Sequence, residues 1–258
     1  MVPVKRYLAA ATIVMSMTSC SHEQPEYVSP YADSVAPSTT SAPPSTTEAV
    51  LPISVEASFV DDFERPDTQV GLGEGWDMRS RDKNILQPAA DGFIQDGRYT
   101  YTGRGSVYAA RQFRGTVRRI GSAGRFRSIR FGPETVMAMG ITANDQLTSD
   151  MVLLTAKRSG WRLTIRRANG PYETVAEGAF DTKLELDRDY QFELSATDDL
   201  VSIDVPGTKE SHSVSTLGIL GDRAFWQEYP TRVPSGDVFD FDILWALEDG
   251  QPTFPVVQ

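Results

Sequence analysis

The sequence predicts an all-β domain, a sandwich or a barrel, behind an N-terminal leader of different composition. Three observations carry this. Short runs rich in Val, Ile, Thr, Tyr and Phe recur after Leu51, with Gly, Pro, Asn or Asp between them, which is the pattern of strands and turns. No stretch of that region holds a helical period. Residue character also alternates with a period of two. Tyr190, Phe192, Leu194 and Ala196 share one parity, and Gln191, Glu193 and Ser195 share the other, giving one buried and one wet face.

In chain order the expected strands are Tyr99–Thr102, Ser106–Phe113, Arg125–Phe131, Thr135–Thr142, Met151–Lys157, Trp161–Arg167, Tyr190–Thr197, Leu200–Val205 and Val238–Leu247. Two hairpins are explicit. Lys157-Arg158-Ser159-Gly160 and Thr197-Asp198-Asp199 are short polar loops between alternating runs. In the last strand Phe239, Phe241, Ile243, Trp245 and Leu247 point one way, and Asp240 and Asp242 the other.

Composition removes several function classes. The 258 residues carry 25 Lys+Arg against 35 Asp+Glu, a net charge of −10. So acidic a chain is a poor general binder of nucleic acid. One cysteine rules out an intrachain disulfide framework and a multi-cysteine zinc site. Two histidines leave little for His-based chemistry.

The leader begins with Lys5 and Arg6, continues as an apolar run from Tyr7 to Met17, and reaches Met17-Thr18-Ser19-Cys20. A basic start, a short apolar run and small residues mark a secretory signal. The run falls short of the roughly 20 residues that span a bilayer. Its end resembles the lipobox of bacterial lipoproteins, with Met17 where leucine is usual. That resemblance implies a signal peptide over residues 1–19, cleavage before Cys20 and lipidation of the Cys20 thiol. Each buried acyl methylene contributes ~0.8 kcal/mol to anchoring. Residues 20–50 follow as a tether, half of Ser21–Val50 being Ser, Thr or Pro. Such a composition cannot offset its own chain entropy by burial. The β domain is expected over residues 51–258.

Asp61-Asp62-Phe63-Glu64-Arg65-Pro66-Asp67, then Leu72-Gly73-Glu74-Gly75-Trp76, resembles the opening of bacterial concanavalin A-like, laminin G-like domains. Gly97-Arg98-Tyr99 and Phe239-Asp240-Phe241-Asp242-Ile243 resemble two later strands of that family. The resemblance implies a two-sheet antiparallel jelly roll with first and last strands side by side, and a sugar site on the concave face of a bent sheet. It says little about activity, because one sandwich hosts lectins, glycosidases and adhesion modules.

No nucleophile elbow, zincin, phosphate-binding or C-x-x-C motif is present. Glu185-Leu186-Asp187-Arg188-Asp189 resembles the strand-borne carboxylate set of laminarinase-type retaining glycosidases, with Asp189 where that family has Glu. The alternative is a polar turn leading into the strand at Tyr190. Asp240 and Asp242 could hold a structural calcium ion, though calcium wants 6–8 oxygens. Otherwise no cofactor or metal is expected. Nine arginines, at 98, 104, 111, 114, 118, 119, 125, 127 and 130, fall between Arg98 and Pro133 with no acidic residue among them. They either form a patch for an anionic partner, led by Arg125 and Arg127, or pair with carboxylates of neighbouring strands. Asp222–Pro230 reads as a loop in which Trp226 and Tyr229 could stack on a sugar. His212, between two serines, reads as a surface residue.

The chain therefore reads as an extracytoplasmic lipoprotein, lipid-anchored to the cell membrane of a bacterium. Its sandwich is expected to bind an envelope glycan or a partner protein without catalysis. The alternatives are a laminarinase-like glycoside hydrolase using Glu185, Asp187 and Asp189, and a structural protein-interaction module.

Overall fold

The computed structural model describes residues 55–82, 85–88, 92–101, 105–129, 132–144, 150–168, 170–233 and 236–256. They lie within one compact unit, Val50–Gln258. The strands are β1 (Val55–Ala57), β2 (Phe59–Asp61), β3 (Asp77–Asp82), β4 (Ile85–Pro88), β5 (Gly92–Gln95), β6 (Arg98–Tyr101), β7 (Val107–Gln112), β8 (Val117–Ser128) and β9 (Thr135–Thr142). Then come β10 (Met151–Lys157), β11 (Gly160–Arg166), β12 (Tyr172–Ala179), β13 (Asp189–Ala196), β14 (Leu200–Val205), β15 (Thr208–Ser213), β16 (Arg223–Pro230), β17 (Asp237–Glu248) and β18 (Phe254–Val256). No helix occurs among the described residues.

Two antiparallel sheets form a sandwich. The first runs β15-β14-β13-β8-β17-β6-β5, with β2 also on β17; the second runs β12-β11-β10-β9-β16-β7-β3-β4. β1 pairs with β18 as a separate ribbon, so the first and last strands are neighbours. Both hairpins form, joining β10 to β11 and β13 to β14. The core lies between the sheets. Phe192, Leu194, Ile120, Phe126, Phe239 and Phe241 come from the first sheet, and Met139, Leu154, Leu163 and Trp226 from the second.

β8 begins at Val117, eight residues before the expected start. Its Gly121-Ser122-Ala123-Gly124 stretch lacks strand-forming side chains. Tertiary contacts select the small residues instead. A Cβ at Gly121 would lie 2.1 Å from the ring of Trp245, which lies against that glycine.

The last strand departs from simple alternation. Phe239 and Phe241 enter the core, but a register shift between Phe241 and Ile243 exchanges the faces. Leu244 and Ala246 then point inward. Ile243 and Trp245 pack with Ala123 under Ala57 and Val256 of the terminal ribbon.

The opening motif forms a clasp. Asp61, 9% exposed, accepts the Phe63 N–H at 3.0 Å, both Arg65 Nη atoms at 2.6 and 3.0 Å, and Trp76 Nε1 at 2.7 Å. Arg65 also donates to the Leu72 carbonyl at 2.7 Å. Phe63 takes a left-handed backbone, φ 57°, which turns its ring into the core. Burial alone would raise the Asp61 carboxyl. The Arg65, Trp76 and Phe63 donors outweigh that and hold it below the usual carboxylate range.

Candidate functional site

The fold gathers residues that belong to separate hypotheses in the sequence. β8 lies between β13 and β17. Arg125 of β8 stands opposite Asp189 on one side and Asp240 on the other. Arg127, two residues on, has the same parity. Its Nε donates to Asp240 Oδ2 at 2.5 Å and its Nη2 to Thr100 Oγ1 at 2.7 Å. Thr100 Oγ1 donates to Asp240 Oδ1 at 2.5 Å, closing a triangle. Arg98 pairs with Asp242. The patch spans β6, β17, β8 and β13 on the side away from the core.

Two members of this patch carry unspent chemistry. The Arg125 Nε is buried and has no hydrogen-bond partner among the described residues. Asp242 is pushed up to about 6 by its own burial, against the pull of Arg98, with Asp189 pushing further in the same direction.

This has a measurable consequence. The folded-state value of Asp242 exceeds the unfolded carboxylate value of about 3.9. Its stabilising effect is complete below that unfolded value and is lost as pH rises through about 6. Asp242→Asn is expected to flatten the fall of stability between mildly acidic and neutral pH, measured by urea unfolding at several pH values. An unchanged slope would refute the raised value of Asp242.

The remaining candidates are placed differently. Glu185 and Asp187 are exposed and lie on the link before β13, not on a strand. Asp187 is left-handed, φ 57°, and its N–H donates to the Phe126 carbonyl at 2.7 Å. The Glu185 N–H donates to Tyr190 Oη at 2.7 Å. With only Asp189 on a strand, Glu185, Asp187 and Asp189 do not share a period-two face. The polar-turn reading describes them.

All of Asp222–Pro230 except Asp222 falls on the strand β16 rather than on a loop. Trp226 is wholly buried, and its Nε1 donates to the Gly121 carbonyl at 3.1 Å. Its ring meets Trp76 edge-on at 5.6 Å. It offers no surface to a ligand. Tyr229, three residues on, faces the other way by strand alternation. It packs with Tyr108, Leu153 and Phe225, an apolar cluster on the outer side of the second sheet.

Among the described residues, four arginines of the band are paired internally. Arg118 pairs with Asp198 and Asp249, Arg119 with Glu193, Arg127 with Asp240 and Arg98 with Asp242. Arg111 stacks over Phe59 at 4.2 Å. Arg104 and Arg130 lie outside the described residues, as do Cys20 and the tether. No group of three metal-type side chains occurs among the described residues. Asp240 and Asp242 are faced by guanidinium groups, so they do not fit a calcium ion.

Glu228 escapes sequence reasoning. It is wholly buried, accepts the Phe239 N–H at 2.8 Å, and is raised well above the usual carboxylate range by desolvation and by Asp240. Its parity with Ala224 and Trp226 is the available signal once β16 is read as a strand.

Comparisons with known proteins bear on the fold. No protein-family model matches the chain, and no curated protein matches it by sequence. Solved structures do match. LamAcat from Zobellia galactanivorans aligns with a TM-score of 0.53 at 12% identity, covering 74% of this chain and 97% of that one. The Emp46p carbohydrate recognition domain aligns with a TM-score of 0.53 at 9% identity, covering 74% and 96%. A prokaryotic beta-1,3-1,4-glucanase (lichenase) derived from a mouse hindgut metagenome aligns at 0.51 and 9%, covering 74% and 98%. The fold is the two-sheet jelly roll of these proteins.

Proposed function

We propose that this chain is an extracytoplasmic lipoprotein, anchored through Cys20, whose jelly roll binds an envelope glycan without cleaving it. The observation that carries the binding reading is the patch around Arg125. It places the half-buried Arg125 beside the partly exposed guanidinium groups of Arg98 and Arg127, which are held in fixed positions by Asp242, Asp240 and Thr100. Sugar hydroxyls are both donors and acceptors, and such an array answers both. The fold is shared with a carbohydrate recognition domain and with glucanases. The lipobox and the Ser/Thr/Pro tether support display at a membrane face.

The test is retention of the full chain in affinity gels loaded with envelope polysaccharides. Arg125→Ala is expected to weaken retention about tenfold, as loss of one charge-assisted hydrogen bond would. Its effect on stability should be small. Retention by no polysaccharide would defeat the reading.

A second reading, a glycoside hydrolase, draws on the glucanases among the structural neighbours. Retaining enzymes of that chemistry hold two carboxyl groups ~5 Å apart, and inverting ones further. Glu185 and Asp187 lie on the link before β13 and Asp189 on the strand itself, so the three do not present such a pair from one strand face. Release of reducing sugar from a β-glucan by the wild-type chain would reverse the choice.

A further inference from the structure

Among the described residues, four strands close the lateral edges of the two sheets: β12 and β4 of the second, β15 and β5 of the first. An open edge presents unpaired N–H and C=O groups. Proteins blunt such edges with bulges, charges, proline or short length. β12 has a register shift against β11, which β15 lacks against β14. β4 has four residues and ends in Pro88. β5 has four residues and starts with Gly92. β15 has six residues, regular register with β14 along its whole length, and neither proline nor glycine; its Lys209 pairs with Asp204 and its Glu210 with His212 within the chain.

We propose that β15 is a self-association edge. A second copy of this chain pairs with it antiparallel about a two-fold axis at Ser211, making the two first sheets continuous.

Hydrogen-bond complementarity along the edge selects this register. Directly opposed residues of an antiparallel pair share a face. With Ser211 opposite Ser211, Glu210 stands opposite His212 and Lys209 opposite Ser213, each twice by symmetry. A two-residue slip one way opposes Glu210 to Glu210, and the other way His212 to His212. A one-residue slip exchanges the faces of the incoming sheet. Within one chain Glu210 and His212 already pair at 3.1 Å, so both groups lie along this edge. On the other face Ser195, Ser202 and Ser211 stand in one row across β13, β14 and β15, and the hydroxyls of Ser202 and Ser211 meet at 2.8 Å. The two-fold axis continues that row into the second copy. Ser211 is exposed, so the contact needs no rearrangement of the monomer.

Sedimentation velocity on the full chain at rising concentration tests this. The expected result is a monomer–dimer equilibrium. Ser211→Lys, which opposes two ammonium groups at the axis, should weaken it roughly fivefold to tenfold with an unchanged circular dichroism spectrum. In a Cys20→Ser background, Ser211→Cys should form an intermolecular disulfide under mild oxidation, whereas Lys209→Cys, which faces Ser213, should not. Monomer at every concentration, or crosslinking no better at 211 than at 209, would overturn the proposal.

Discussion

Asp61→Ala should lower the unfolding free energy by about 3 kcal/mol, the lower end for breaking a buried ion pair. The variant strands three donors at once: the Phe63 N–H, the Arg65 guanidinium and the Trp76 indole. Arg65 keeps a side chain 34% exposed, so its charge can rehydrate, which holds the loss at that lower end. Asp61→Asn retains an acceptor oxygen and should fall between the two. Equilibrium urea unfolding reads the difference. The pH dependence supplies a second check. Asp61 titrates below its unfolded value, so its contribution is present above about pH 4 and is lost as pH falls through the folded value. The gap between wild type and Asp61→Ala should therefore narrow in acid. A gap constant with pH would mean that the charge of Asp61 contributes nothing to the clasp.

The clasp is legible in the sequence because its residues are close together along the chain. The D-x-F-x-R spacing lets one carboxylate cap the turn and bind the arginine. Regular hairpins are legible for the same reason, since β10–β11 and β13–β14 need only local turns and alternation. β8 is legible only in part. Its glycines and arginines are chosen by partners far along the chain, Trp245 over Gly121 and Asp240 beside Arg127. The same separation fragments the candidate site. Arg125, Asp189 and Asp240 meet only because β8 lies between β13 and β17, and no local spacing encodes that neighbourhood. β16 misleads because Trp, Tyr and charged residues in one short run suggest an exposed loop. Burial on both faces removes the alternation that would mark a strand.

Trp226→Ala should cost about 3–5 kcal/mol, the range for deleting a large aromatic side chain from a packed core. The indole is fully enclosed between the sheets and meets Trp76 edge-on. Its Nε1 satisfies the Gly121 carbonyl of the opposite sheet, so it ties the two layers by both packing and a hydrogen bond. Trp226→Phe keeps much of the packing and loses that bond, which is worth roughly 1 kcal/mol. The pair of variants separates a core residue from a sugar-stacking one. A core role predicts that Trp226→Phe is measurably less stable by urea unfolding yet retained on polysaccharide gels like wild type. A variant as stable as wild type but no longer retained would return Trp226 to the ligand. The burial of this ring argues for the first outcome, because a side chain with no accessible surface can reach a ligand only if the sheets part.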